Sequence, residues 1–165
     1  MEKESLIPNA EASFSVRIER VKKEIANLSL EGRWDLKITP VTESALAGLN
    51  QNIPQEHLDT LRALGEISMS SNGCGHIELF IPSSLNQGGF YEFSKQEFPE
   101  YDHFIHFAHN VEGICFGYDL RTSPLEIKAW DFQGCCPWPS GYATYLDLVE
   151  EYILTPENYK IYFAK

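Results

Sequence analysis

Long apolar runs are missing from this chain, so none of its segments is expected to cross a membrane. The opening residues, MEKESLIPNAEASF, have neither a cationic start nor an apolar stretch behind it, so a secretory leader is not expected and the cytoplasm is the natural compartment. Cysteine is sparse. Cys74, Cys115, Cys135 and Cys136 include no C-x-x-C pair, which argues against a zinc knuckle or a thioredoxin-like site and favours free thiols. Cys74-Gly-His76 can be combined with Cys135-Cys136 on paper, but loop or core thiols are the simpler reading. The chain also has no G-x-S-x-G elbow, P-loop, dinucleotide-binding glycine motif or H-E-x-x-H. Without a motif to assign chemistry to, the expectation is a protein that is not an enzyme, with no cofactor and no metal.

Basic residues are the other shortage. Residues 1–40 balance seven acids with seven bases, whereas residues 41–165 set seventeen acids against six bases, which accounts for the net charge of −11. Between Ala63 and Ile127 only Lys95 and Arg121 are basic, against nine acids. Such a field repels phosphate backbones, so a nucleic-acid partner is not expected, and it draws in basic proteins. Solubility alone is the plainer explanation of the same acidity.

The length of 165 residues suits one domain with a self-sufficient core. Residues 1–12 read as a flexible lead and 13–165 as the domain. Phe14, Ile18, Val21, Ile25 and Leu28 recur on one face of a helix, with Ser13 or Ser15 as cap. Arg33–Ile38 alternates as a short strand, and Thr42–Leu49 reads as a short capped helix. Pro54 opens a helix through Leu58, Leu61 and Leu64, which Gly65 stops. Ser68–Gly75 reads as turn chemistry, followed by a strand from His76 to Ile81 that Pro82 breaks. Residues 83–102 read as a loop with a helical turn. Strands are then expected over His103–Ala108, Ile114–Leu120 and Leu125–Phe132, with turns at Asn110–Gly113 and Arg121–Pro124 between them. A Cys/Pro/Trp loop leads to a last helix from about Ser140, with Tyr142, Leu146, Val149 and Ile153 on one face, which Pro156 ends. The order implies an α+β fold with a largely antiparallel sheet flanked by helices.

Tyr101-Asp-His-Phe-Ile-His-Phe-Ala-His-Asn110 spaces three histidines three residues apart. On a regular strand His103 and His109 share a face about 20 Å apart, at roughly 3.3 Å per residue, and His106 points the other way. A zinc ion needs ligand nitrogens at about 2.0–2.1 Å, so this segment alone builds no metal site. Glu78, placed on the His76/Phe80 face of its strand, is the carboxylate that could lie in a pocket, although a sheet-surface acid is the plainer reading.

Ile53-Pro54 before a helix, Asn72-Gly73 after it, the hairpin from Phe107 through Glu112-Gly113 to Asp119-Leu120, the strand Ile127–Asp131 and a closing helix follow one another in a telling order. This order resembles the SMI1/KNR4 family, or SUKH superfamily, over about residues 40–154. Ile53 stands in place of the family's usual leucine, and Cys74 interrupts the glycines after Asn72. The resemblance implies a non-enzymatic protein-binding module, most specifically a bacterial immunity protein that neutralises a toxin, often a nuclease, by direct binding. A regulatory or scaffolding protein of the same family without a toxin is one alternative, and a small metal-binding enzyme with His/Cys ligands is another. A protein partner, a basic toxin domain, is therefore expected, and the residues nominated to meet it interleave acids with aromatics. They are Tyr91, Glu92, Glu97, Glu100, Tyr101 and Asp102, followed by Trp130, Asp131 and Trp138. For the tryptophans a core position is the competing assignment.

Overall fold

The protein is described by a computed structural model for residues 12–71, 74–84, 103–131 and 137–156. The apolar stripe read from Phe14 onward forms helix α1 (Phe14–Glu31), which buries Ile18, Val21 and Leu28 and ends at Gly32 in the left-handed region. Strand β1 (Asp35–Thr39) follows, then the short helix α2 (Glu43–Ala47), whose first turn is capped by the Thr42 hydroxyl accepting from the Ala45 N–H. Helix α3 (Gln55–Leu64) begins after Pro54 and stops at Gly65, where φ is 76°. A Cβ at Gly65 would also run into the Thr39 carbonyl, so only glycine lets the end of α3 pass this close to β1.

Six more strands complete one antiparallel sheet: β2 (Glu66–Ser71), β3 (Cys74–Ser84), β4 (Phe104–Asn110), β5 (Ile114–Asp119), β6 (Ile127–Asp131) and the two-residue β7 (Trp138–Pro139). Their order across the sheet is their order along the chain, β1 through β7, so each strand pairs with the one before it, with α2 and α3 inserted between β1 and β2. Helix α4 (Tyr145–Leu154) then returns over the sheet. The fold is α+β with an antiparallel sheet, as the element order implied. No helix among the described residues is long and apolar enough to cross a membrane.

The helices cover one face of the sheet. Ile67, Met69, Ile77, Leu79, Phe107, Phe116, Tyr118 and Ile127 meet Ile18, Val21 and Leu28 of α1, Leu61 and Leu64 of α3, and Leu146, Val149 and Ile153 of α4 in one core. Each large apolar side chain buried there contributes about 1.5–3 kcal/mol. Polar contacts set the position of α4 on this core. Its N-terminus carries a reciprocal capping box between Thr144 and Asp147. Its first turn is also held by Glu56 of α3, whose carboxylate accepts from the Leu146 N–H at 3.0 Å. Burial raises the pKa of that carboxyl, against the hydrogen bonds from Leu146 and Thr60. Glu150 is 3 % exposed and lies between Arg17 and Arg20 of α1, each 2.7 Å away.

Several expectations need correction. Ser68–Ser71 is part of β2, not a turn, because pairing with β1 on one side and β3 on the other outweighs the local turn preference of serine. Pro82 does not end β3, which continues to Ser84. The β3–β4 ladder is irregular between Leu79 and Ser83, so the N–H that proline lacks is not needed there. The last helix starts at Tyr145, five residues later than expected, where Thr144 supplies the cap. Residues 1–11, the leading part of the expected flexible segment, lie outside the described residues.

Candidate interaction surface

The face of the sheet away from the helices carries the chain's unusual chemistry. Its residues follow from the register. Lys37 of β1 lies opposite Ser68 of β2, and Ser68 opposite Glu78 of β3. Glu78 lies opposite His109 of β4, His109 opposite Cys115 of β5, and Cys115 opposite Trp130 of β6. Two bulges set the phase of this row. The extra residue His76 separates the Met69–Ile77 and Ser70–Gly75 pairs, which turns its ring to the helix side, 5.1 Å from Trp34, with Nε2 3.2 Å from the Tyr152 carbonyl oxygen. Glu78 and His76 therefore do not share a face as regular alternation would require. A second bulge at Phe107 separates the His106–Gly117 and Ala108–Phe116 pairs.

The bulge at Phe107 also corrects the reading of the histidine triplet. His106 and His109 lie on the same face with their rings 5.8 Å apart and nearly parallel, not on opposite faces. The His106 Nε2–H donates to the Ala108 carbonyl at 2.9 Å, and burial pushes this imidazole's pKa down to about 3. His109 is also pushed down by burial, against the pull of Glu78, whose carboxylate is 3.3 Å from its Nε2. Both rings pack against Phe80. No group of three or more His, Cys, Asp and Glu side chains among the described residues is arranged to hold a metal ion.

Trp130 closes the far end of the row. Its ring lies 5.1 Å from Phe104 and 5.7 Å from His106. It passes over Gly117, where a Cβ would come within 2.8 Å of the ring. Trp130 is 3 % exposed and so packs the sheet; it is not placed to meet a partner at the surface. Trp138 is 40 % exposed on the edge strand β7, and Asp131 is half-buried at the end of β6. Tyr91, Glu92, Glu97, Glu100, Tyr101 and Asp102 lie outside the described residues.

At the β1–β3 end this face forms an open groove of about 210 Å³, lined by Lys37, Thr39, Glu66, Ser68, Glu78 and Phe80 with Ile67 and Leu79 at its base. Glu66 is held in place because its Oε1 accepts the Ile81 N–H at 2.9 Å, a donor that falls within the irregular stretch of the β3–β4 ladder. The side chain of Glu78 is 54 % exposed, with His109 at its side. Sequence reading singled out Glu78 and placed Phe80 on its face, but missed Lys37 and Glu66 as companions. Their only available signal was the cross-strand register.

Electrostatically, the described cations beyond residue 40 are all engaged with acids. Arg62 pairs with Glu43 and Asp59, Arg121 with Asp119, and Lys128 with Glu126. The two Asp119 oxygens accept from the Arg121 guanidinium at 2.9 and 2.8 Å, which holds this carboxyl below its ordinary range. These cations neutralise neighbouring acids and leave the acidic excess of the sequence uncompensated.

No family model, curated protein or solved structure matches this chain.

Proposed function

We propose that this chain is a non-enzymatic protein-binding module of SMI1/KNR4 type, acting in the cytoplasm as an immunity protein that binds and neutralises a basic toxin domain. The observation that carries this reading is the charge distribution. Seventeen acids face six bases beyond residue 40, and the described bases among them are already paired. A nuclease toxin must present cations to phosphates, and an acidic inhibitor occupies that surface while gaining encounter rate from the opposed fields. The exposed ring of Trp138 adds an aromatic of the kind that anchors such interfaces.

The test is capture of a partner from the source cell, together with binding to toxin domains encoded beside this gene, at low and high salt. One basic partner is expected, with an association rate that falls at least about tenfold as screening rises. Binding that is indifferent to salt, or a captured partner that is acidic, would refute the electrostatic basis of the reading.

A further inference from the structure

We propose that the groove at the β1–β3 end of the sheet face away from the helices seats an arginine side chain of the protein partner. The inference rests on the protein-binding reading above and deepens it by naming the group recognised. Size argues first: about 210 Å³ falls short of the roughly 300–1,000 Å³ of small-molecule sites and suits a single inserted side chain. Charge and geometry argue next. Ser68 lies opposite Glu78, so Glu66, two residues before Ser68 on the same face, is Glu78's diagonal neighbour on the adjacent strand. Diagonal positions are about 7–8 Å apart at the backbone, near enough for two glutamate side chains to reach one cation. The fork of N–H donors on a planar guanidinium meets two carboxylates better than a point-like ammonium does.

Both carboxylates are already positioned. Glu66 Oε1 is tied to the Ile81 N–H and Glu78 Oε2 lies beside His109, which leaves one oxygen of each to accept from a guanidinium. Phe80, two residues after Glu78, lines the same groove and adds an aromatic residue beside which a planar cation is favoured. Lys37 works against the occupant. It lines the groove from β1 and forms no ion pair among the described residues, so its ammonium competes for the same acids. That gives the proposal a sign-specific test.

The probe is N-acetyl-arginine amide titrated into the full chain at low salt, followed by backbone amide NMR, with N-acetyl-lysine amide as comparator. Shifts confined to Glu66, Ser68, Glu78, Phe80 and their neighbours are expected, with arginine binding several-fold more tightly than lysine. The pair Glu66→Gln and Glu78→Gln should weaken arginine binding about tenfold, and Lys37→Gln should strengthen it. The control pair Glu19→Gln and Glu31→Gln, both exposed on α1, removes equal charge and should change nothing. Shifts spread over the whole acidic surface, or equal losses in the two double variants, would overturn the proposal. The partner gives a second arm. Salt-sensitive capture by the wild type that the groove variants retain in full would overturn the groove and leave the protein-binding reading standing. Localised arginine binding with no basic partner captured would sink that reading instead.

Discussion

Acidification should destabilise this protein well above the pH at which carboxylates protonate, because its histidines are buried as neutral rings. His57 is the clearest case. It is fully buried in α3, stacked on Tyr145 with ring centroids 3.6 Å apart and edge-on to Phe107. Its Nδ1 is 3.0 Å from the Tyr118 hydroxyl and its Nε2 has no hydrogen-bond partner among the described residues. A charged imidazolium there would be desolvated, and burial lowers the pKa from 6.5 to about 3. Because the folded pKa is depressed, this contribution to stability is intact above pH 6.5 and is lost as pH falls toward 3. At pH 5 the unfolded chain is protonated and the folded one is not, a penalty of about 2 kcal/mol at about 1.4 kcal/mol per pH unit. His106, lowered to about 3 by burial and by its neighbour His109, adds a similar amount. His76 and His109 shift in the same direction. Glu56, raised by burial, opposes them as a single group.

The sum of about 4 kcal/mol from His57 and His106 alone is a large part of the 5–15 kcal/mol typical of a domain. Urea denaturation followed by circular dichroism at pH 7.5, 6.5, 5.5 and 5.0 measures it directly. Net charge alone predicts the opposite trend, since acidification toward the pI of 4.8 relieves self-repulsion. His57→Phe keeps a ring against Tyr145 and removes one titrating group. Whatever it costs at pH 7.5, its stability should fall less steeply below pH 6, by about 1.4 kcal/mol per pH unit. Stability that is level or rising from pH 7.5 to 5.0, or a variant slope equal to that of the wild type, would refute the reasoning.

Two substitutions test the packing on either side of the sheet. Gly117→Ala places a methyl against the Ile105 carbonyl and 2.8 Å from Cη2 of Trp130, so it should cost about 1–3 kcal/mol in urea and shift the tryptophan fluorescence as the ring is displaced. Glu150→Ala leaves Arg17 and Arg20 without their shared carboxylate. Breaking a fully buried pair costs about 3–5 kcal/mol, but Arg20's side chain is 39 % exposed and can rehydrate, so a loss of about 1–3 kcal/mol in thermal or urea unfolding is expected.

Local pattern made much of this fold legible. The apolar stripe through Ile18, Val21 and Leu28 marked α1, Pro54 and Gly65 bracketed α3, and the turns around Asn110–Gly113 and Arg121–Pro124 marked the hairpins of β4, β5 and β6. The errors arose where tertiary pairing decides. Glu66–Ser71 carries turn-forming serines and becomes a strand only because strands lie on both sides of it. The bulges at His76 and Phe107 each shift the phase of a strand by one residue, which no periodicity within that strand announces. They explain why His76 and Glu78 were put on one face and His106 and His109 on opposite faces. Glu66 and Lys37 reach the same groove through cross-strand register, a relation between distant segments.

The chain-ordered sheet has a consequence for synthesis on the ribosome. Each strand from β2 onward emerges to find its neighbour already made. α4 is the exception, because it emerges after every strand and yet covers the apolar face they share with α1 and α3. Until Glu150 clears the exit tunnel, Arg17 and Arg20 lack their shared carboxylate and the part of the inner sheet face that α4 covers stays exposed. Nascent chains stalled before Tyr145 should therefore be the species that recruit chaperones, and the need for them should end with the last helix.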